Sequence, residues 1–242
     1  MNRFRPAPEG GTRLVCLPHA GGSASFYLPV AQALAGRVDV VAVQYPGRQE
    51  RRREPVVTSL PALADRLVPV VAPLLDRPVA LFGHSMGAVL GFELALRLEA
   101  AGQRLRRLFV SGRRGPSAHR DECFHRLDDP SLVAELRRLN GTDSAILGDA
   151  EMLGMILPAV RGDLTAIETY RCAAGSTVGC PITVLVGDDD PRTTVDEARS
   201  WAGHTTGGSE LFVLPGGHFY LVRRGAEVID IVAARLESPR PE

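Results

Sequence analysis

Ser85, His218 and the run Asp188, Asp189 and Asp190 are the side chains of this 242-residue chain that together suit acyl transfer. A serine hydroxyl is a poor nucleophile near neutral pH, so it needs a base, and the base needs a group to orient it. Ser85 stands in Gly83-His84-Ser85-Met86-Gly87, between an apolar run at 78–82 and an apolar helix running from Met86 to about Ala101. In that context the G-x-S-x-G pattern predicts a sharp strand-to-helix turn whose backbone strain lifts the serine hydroxyl clear of the sheet. Gly83 and Gly87 flank the serine because a Cβ there would collide with tightly packed strand and helix. The following helix turns its free N–H groups and positive dipole end toward the place where negative charge develops.

His218, in Pro215-Gly216-Gly217-His218-Phe219, follows the last apolar run on a glycine-rich turn and is the expected base. The acid is expected in the loop after the preceding strand, within 187–191; Asp190 is favoured and Asp188 is the alternative. Three adjacent carboxylates also suit a cation, but no second ligand cluster accompanies them and no metal site is expected. The oxyanion formed when serine attacks a carbonyl needs two N–H donors. Met86 supplies one by position, and Ala20, followed by two glycines, the other. His19 is read as an orienter of that loop or as packing. His84 is expected to point away from the nucleophile, and His119, His125 and His204 to be solvated.

The elements that must position these groups follow from short apolar runs. Strands are expected at 12–17, 38–43, 78–82, 107–112, 182–187 and 210–214, with helical patterns near 24–35, 60–75, 86–101, 195–201 and 226–236. Unalternated apolar strands separated by helices imply an α/β fold, a mostly parallel sheet covered on both faces. Ligands in such sheets bind beyond the carboxyl ends of the strands, where the loops 19–23, 83–87, 187–191 and 215–218 gather. From about 116 to 178 no strand pattern appears. This stretch reads as a helical insertion in a single domain spanning 1–242, with Pro158 kinking or splitting its more apolar helix. Met152, Met155 and Ile156 are the expected substrate-facing residues of that insertion, unshaped apolar side chains suited to a variable acyl chain. Ordinary packing on the domain is the competing reading.

Composition removes other classes. Formal net charge is zero, and all 28 basic residues are arginine. There is no aromatic-basic interleaving, so no nucleic-acid partner is expected. Cys16, Cys123, Cys172 and Cys180 lack metal or disulfide spacing, as a reducing cytoplasm allows. No apolar stretch approaches a membrane span, so a soluble, cytoplasmic protein without a membrane partner is expected.

Pro18-His19-Ala20-Gly21-Gly22, Gln44-Tyr45-Pro46-Gly47-Arg48, Gly83-His84-Ser85-Met86-Gly87 and Pro215-Gly216-Gly217-His218-Phe219 together resemble the type II (editing) thioesterases of modular polyketide and nonribosomal peptide synthesis. These are members of the α/β-hydrolase superfamily. The resemblance covers nearly the whole chain and is weakest in the insertion. It implies Ser85, Asp190 and His218 as the triad, the Ala20 and Met86 N–H groups as the oxyanion hole, and the insertion as a lid over an acyl chamber. It implies hydrolysis of stalled or decarboxylated acyl groups from the phosphopantetheine arm of an acyl or peptidyl carrier protein. No cofactor is implied, because a thioester is already an activated acyl donor. The chain starts and stops like a free-standing protein, expected to be a monomer, which speaks against a cyclising thioesterase at the end of a synthase. A general esterase or lipase shares the triad, and a silent hydrolase fold used as a binding partner lies in another class. Carrier proteins are usually acidic, so Arg48, Arg51, Arg52 and Arg53, and separately Arg113 and Arg114, are candidate docking points, with solvated faces as the plainer reading.

Overall fold

Short apolar strands shield both their faces only between layers of helix, and that is how the chain is built. The computed structural model describes residues 1–5, 11–139, 141 and 147–237. Strands β1 (Asn2–Arg5), β2 (Arg13–Leu17), β3 (Asp39–Ala42), β4 (Val79–His84), β5 (Arg107–Ser111), β6 (Ile182–Gly187) and β7 (Ser209–Leu214) form one sheet in the order β1-β3-β2-β4-β5-β6-β7. All neighbouring pairs are parallel except β1 with β3. Alternate residues of one strand feed opposite cores. Val15 and Leu17 join Leu81, Leu90 and Val110 on one side, while Leu14 and Cys16 join Phe82, Phe109 and Val232 on the other.

Helices α1 (Leu28–Ala33), α2 (Leu60–Val71) and α3 (Met86–Ala100) alternate with the first four parallel strands. Helix α3 is buried around most of its circumference, which explains an apolar sequence with little amphipathic bias. The edge strand β1 carries no apolar run and is not legible in the sequence. It pairs with β3 through backbone hydrogen bonds, and Arg3 Nε donates to Asp39 Oδ1 at 2.8 Å.

Between β5 and β6 lie a single-turn helix (Phe124–Arg126), α4 (Asp129–Leu139) and α5 (Ala150–Glu168). Leu132, Val133, Leu157, Val160 and Leu164 bind α4 to α5 in a small core of their own. The helix α5 is one continuous element and is not split at Pro158. Pro158 and Gly154, whose carbonyl the missing N–H leaves without its helical donor, both lie on the exposed side. Helices α6 (Val195–Arg199), α7 (Tyr220–Arg223) and α8 (Gly225–Glu237) complete the described chain. Among the described residues no helix is long and apolar enough to cross a membrane.

Candidate active site

The turn from β4 into α3 admits nothing larger than glycine two residues to either side of Ser85. A Cβ on Gly83 would sit 2.0 Å from the Gly87 carbonyl oxygen, and one on Gly87 2.0 Å from that of Leu17. Squeezed between these approaches, Ser85 adopts φ +54° and ψ −114°, a conformation rare for a residue with a side chain. Its N–H is tied to the Ser111 carbonyl at 2.8 Å, so the strain is held from β5.

His218 comes from the β7–α7 loop and Asp190 from the loop after β6. Ser85 Oγ lies 3.0 Å from His218 Nε2. His218 Nδ1 lies 2.9 Å from Asp190 Oδ2 and 3.1 Å from Oδ1. The Asp190 side chain is fully buried, and its Oδ1 also accepts the Arg192 N–H at 2.8 Å. Asp188 is exposed; its Oδ1 accepts the N–H of Gly216 at 2.8 Å, so it braces the turn that presents His218 and does not touch the imidazole.

Beneath these groups is a stack of rings. His84 is fully buried, its ring centroid 5.1 Å from that of His218, and its Nδ1 is 2.9 Å from Ser111 Oγ, which meets Tyr220 OH at 2.7 Å. His19 packs edge-on against Phe26 and Phe219, each at 4.8 Å. Burial, with the nearby His218 and Arg48, pushes the His19 imidazole down to about 3. Burial, then His218 and His19, holds His84 well below its ordinary value. Both rings are therefore neutral at pH 7. A base kept neutral by folding binds its proton more readily once unfolded, so stability is complete above about pH 6.5 and drains as pH falls toward the folded value. The loss is roughly 1.4 kcal/mol per pH unit for each such ring. His19→Phe, which keeps the aromatic packing, is expected to flatten the slope of unfolding free energy between pH 6.5 and 4 by about one proton, measured by denaturant titration.

The loop after β2 carries Ala20. Tyr27 OH donates to the Leu17 carbonyl at 2.9 Å, Tyr45 OH to that of Pro18 at 3.1 Å, and Gly22 N–H to that of His19 at 2.9 Å. Met86 is the first residue of α3, where an N–H has no acceptor within the helix. Ala20, Ser85, His218 and Phe219 line one cleft, walled on the other side by Leu132, Leu136, Val160, Leu164 and Ile167 of α4 and α5.

Met152, Met155 and Ile156 do not line the cleft. The stripe facing inward is Leu153, Leu157, Val160, Leu164 and Ile167, at spacings of three and four, and the two methionines lie on the other side, 37% and 51% exposed. The apolar girth of α5 hid which side faces the cleft. Nor is the cleft purely apolar: Arg113, Glu122, Glu135, Glu168 and Arg192 also line it. Burial disfavours the Glu122 carboxylate, yet Arg114, Arg113 and Arg192 hold it below its usual range. Burial and the adjacent Arg114 push Arg113 down to about 9.

Burial and local partners correct the readings of the arginines and of His204. Arg114 and Arg48 are buried, with Arg114 Nη2 bonded to Glu122 at 2.6 Å, so neither offers a docking charge; Arg113 is largely enclosed beside Glu122. Arg51 pairs with Glu54 at the surface, and Arg52 and Arg53 are exposed. His204 is not solvated: it is buried, bonded to Ser117 Oγ at 2.8 Å and the Ser176 carbonyl at 2.9 Å. His125 is held by Glu168 at 2.5 Å, and His119 faces Asp121. Asp163, singled out by no motif, is buried on α5 and accepts the Gly21 N–H of the Ala20 loop at 2.8 Å; no local pattern in the sequence marks it.

A family model described as a thioesterase domain matches residues 12–236. A probable cadicidin biosynthesis thioesterase of Streptomyces griseus is 52% identical over 240 residues, 99% of this chain and 66% of that protein's length. Thioesterase PikA5 of Streptomyces venezuelae is 44% identical over 238 residues, covering 98% of this chain and 85% of that one. The solved structure of the type II thioesterase BorB, from the borrelidin biosynthetic cluster, superposes with TM-score 0.92 at 51% identity, over 98% of this chain and 97% of that one. The match runs from the start of the parallel sheet to α8 and takes in the serine turn, the aspartate loop and the histidine loop, so this chain belongs to the thioesterase domain family, enzymes that hydrolyse thioesters.

Proposed function

We propose that the chain is an editing thioesterase, which frees carrier proteins of polyketide or nonribosomal peptide synthesis from stalled or decarboxylated acyl groups. The observation that carries the chemistry of this reading is the continuous relay Asp190–His218–Ser85, closed at 2.9 and 3.0 Å around a serine at φ +54°, and the 51% identity to the type II thioesterase BorB supports the editing role. In the first half-reaction His218 Nε2 takes the Ser85 proton as Oγ attacks the thioester carbonyl. The N–H groups of Ala20 and Met86 stabilise the tetrahedral oxyanion. Collapse breaks the C–S bond, and His218 returns the proton to the departing thiolate. In the second, His218 deprotonates water, the hydroxide attacks the acyl-serine, and Ser85 regains its proton as the free acid leaves. Asp190 holds the imidazole in the tautomer with Nδ1–H and stabilises its cationic form.

Helices α4 and α5 are the lid of the acyl chamber, and the single domain of 1–242 carries them as an insertion between β5 and β6. The chain acts as a cytoplasmic monomer on acyl or peptidyl carrier protein. Exposed Arg52 and Arg53 are the remaining candidates from the basic loop for an acidic carrier surface.

The test is an acyl panel loaded on carrier protein, compared with p-nitrophenyl esters of the same acids. The expected kcat/KM is at least about 10²-fold higher for the carrier-borne thioester, since binding energy from the carrier is realised at the transition state. Equal or better turnover of the simple esters would assign the protein as a general esterase instead.

A further inference from the structure

The loop bearing Ala20 is held by more than its own hydrogen bonds. Gly21 N–H donates to Asp163 Oδ2 of α5 at 2.8 Å. Arg48 reaches the same carboxylate with two bonds, Nη1 to Oδ2 at 2.6 Å and Nη2 to Oδ1 at 2.9 Å. Its Nη1 also donates to the Gly22 carbonyl at 3.1 Å, while Nη2 and Nε hold the Pro46 carbonyl at 3.1 and 3.3 Å. Arg48 and Asp163 are 7% and 1% exposed, so the pair lies wholly inside the protein. Gly21 itself, at φ +76°, is so close to α5 that a Cβ on it would lie 2.6 Å from Val160 Cγ2. The turn next to Ala20 is thus pressed against the helix that walls the cleft.

A buried ion pair contributes little net stability compared with apolar residues of the same size. Stability alone is therefore a poor reason for these two residues. What Asp163 supplies that an apolar residue cannot is an acceptor for the Gly21 N–H, which pins the Ala20–Gly21 peptide and so limits the rotation of the Ala20 backbone that aims its own N–H. Arg48 supplies the countercharge that lets a carboxylate remain there. We infer that Arg48 and Asp163 are positioning residues that make the oxyanion loop competent only while α5 is seated on it. Because the acceptor rides on α5, any outward movement of that helix removes the cleft wall and the brace on Ala20 together. Opening for substrate and disarming of the site are one event, and attack on the bound acyl group is confined to the closed state. This rests on the reading of Ala20 as an oxyanion donor.

The test replaces the pair with apolar residues of similar volume, Arg48→Met with Asp163→Leu. The folded double variant is expected to lose about 10²-fold in kcat, the usual cost of a lost oxyanion donor, with KM changed less than about threefold. Labelling of Ser85 by a fluorophosphonate, which builds a similar oxyanion without any carrier, is expected to slow by the same factor. Asp163→Asn keeps an oxygen for Gly21 N–H and is expected to stay within about tenfold of the parent. A folded double variant that labels at the parent rate, or that loses activity through KM alone, overturns the inference. So does an Asp163→Asn as slow as the double variant. Native-state hydrogen exchange on the unaltered protein decides it even if the double variant fails to fold: the Gly21 amide should open in step with the amides of α5, and independent opening is a refutation. If the unaltered protein labels at Ser85 but cleaves no carrier-borne thioester, the substrate reading fails while the labelling and exchange arms still judge the clamp.

Discussion

Ser85→Ala is expected to lower kcat on a loaded carrier by about 10⁶-fold and to abolish fluorophosphonate labelling, with the melting temperature nearly unchanged. The size follows from the relay acting as a unit: without Oγ, His218 and Asp190 have no nucleophile to activate, and only binding and the oxyanion donors remain. The small effect on folding has a structural reason. Ser85 Oγ bonds to His218 Nε2, while the strained backbone is held by the Ser85 N–H on the Ser111 carbonyl and by the glycine contacts on either side. Alanine bears the same Cβ at φ +54° and inherits the same strain. Single-turnover hydrolysis followed by mass spectrometry of the carrier, beside a thermal melt, checks both halves. Residual turnover within about 10²-fold of the parent would remove Ser85 from the chemistry.

The second large effect separates two aspartates that stand two positions apart. Asp190→Asn is expected to cost about 10⁴-fold in kcat at neutral pH, and Asp188→Asn less than about tenfold. An amide at 190 presents an N–H toward His218 Nδ1 and favours the tautomer with the proton on Nε2, which then faces Ser85 as a donor and cannot act as the base. The asparagine oxygen can still accept the Arg192 N–H that Asp190 Oδ1 holds at 2.8 Å, so the loop survives the change. At 188 the group served is the Gly216 N–H, and an amide oxygen accepts it as well as a carboxylate oxygen does. Steady-state rates of the two variants on one substrate are sufficient, and a reversed order would mean that the acid is misassigned.

Much of this molecule was written in short stretches. The strand-turn-helix around Ser85, the apolar runs that became β2 through β7, and the serine, aspartate, histidine order are local patterns that depend on sterics and burial within a few residues. The antiparallel strand β1 was not legible, because Asn2–Arg5 carries no apolar alternation and owes its form to the backbone of β3. Residue order does not rank Asp190 over Asp188, and the family resemblance is what points to Asp190; the assembled loops separate them, one carboxylate turned inward to His218 and the other outward to a backbone N–H.

The arginines and the insertion show where local pattern ends. Arg48 reads as one of a run of surface charges, yet it is buried against Asp163, 115 positions later. Met152 and Met155 read as apolar and adaptable, yet the inward side of α5 belongs to Val160, Leu164 and Ile167. The type of residue and its neighbours in the chain set what each segment can form. Which charge meets which partner, and which side of an apolar helix faces a cleft, depends on contacts between segments far apart in the chain, and those exist only once the layers have packed.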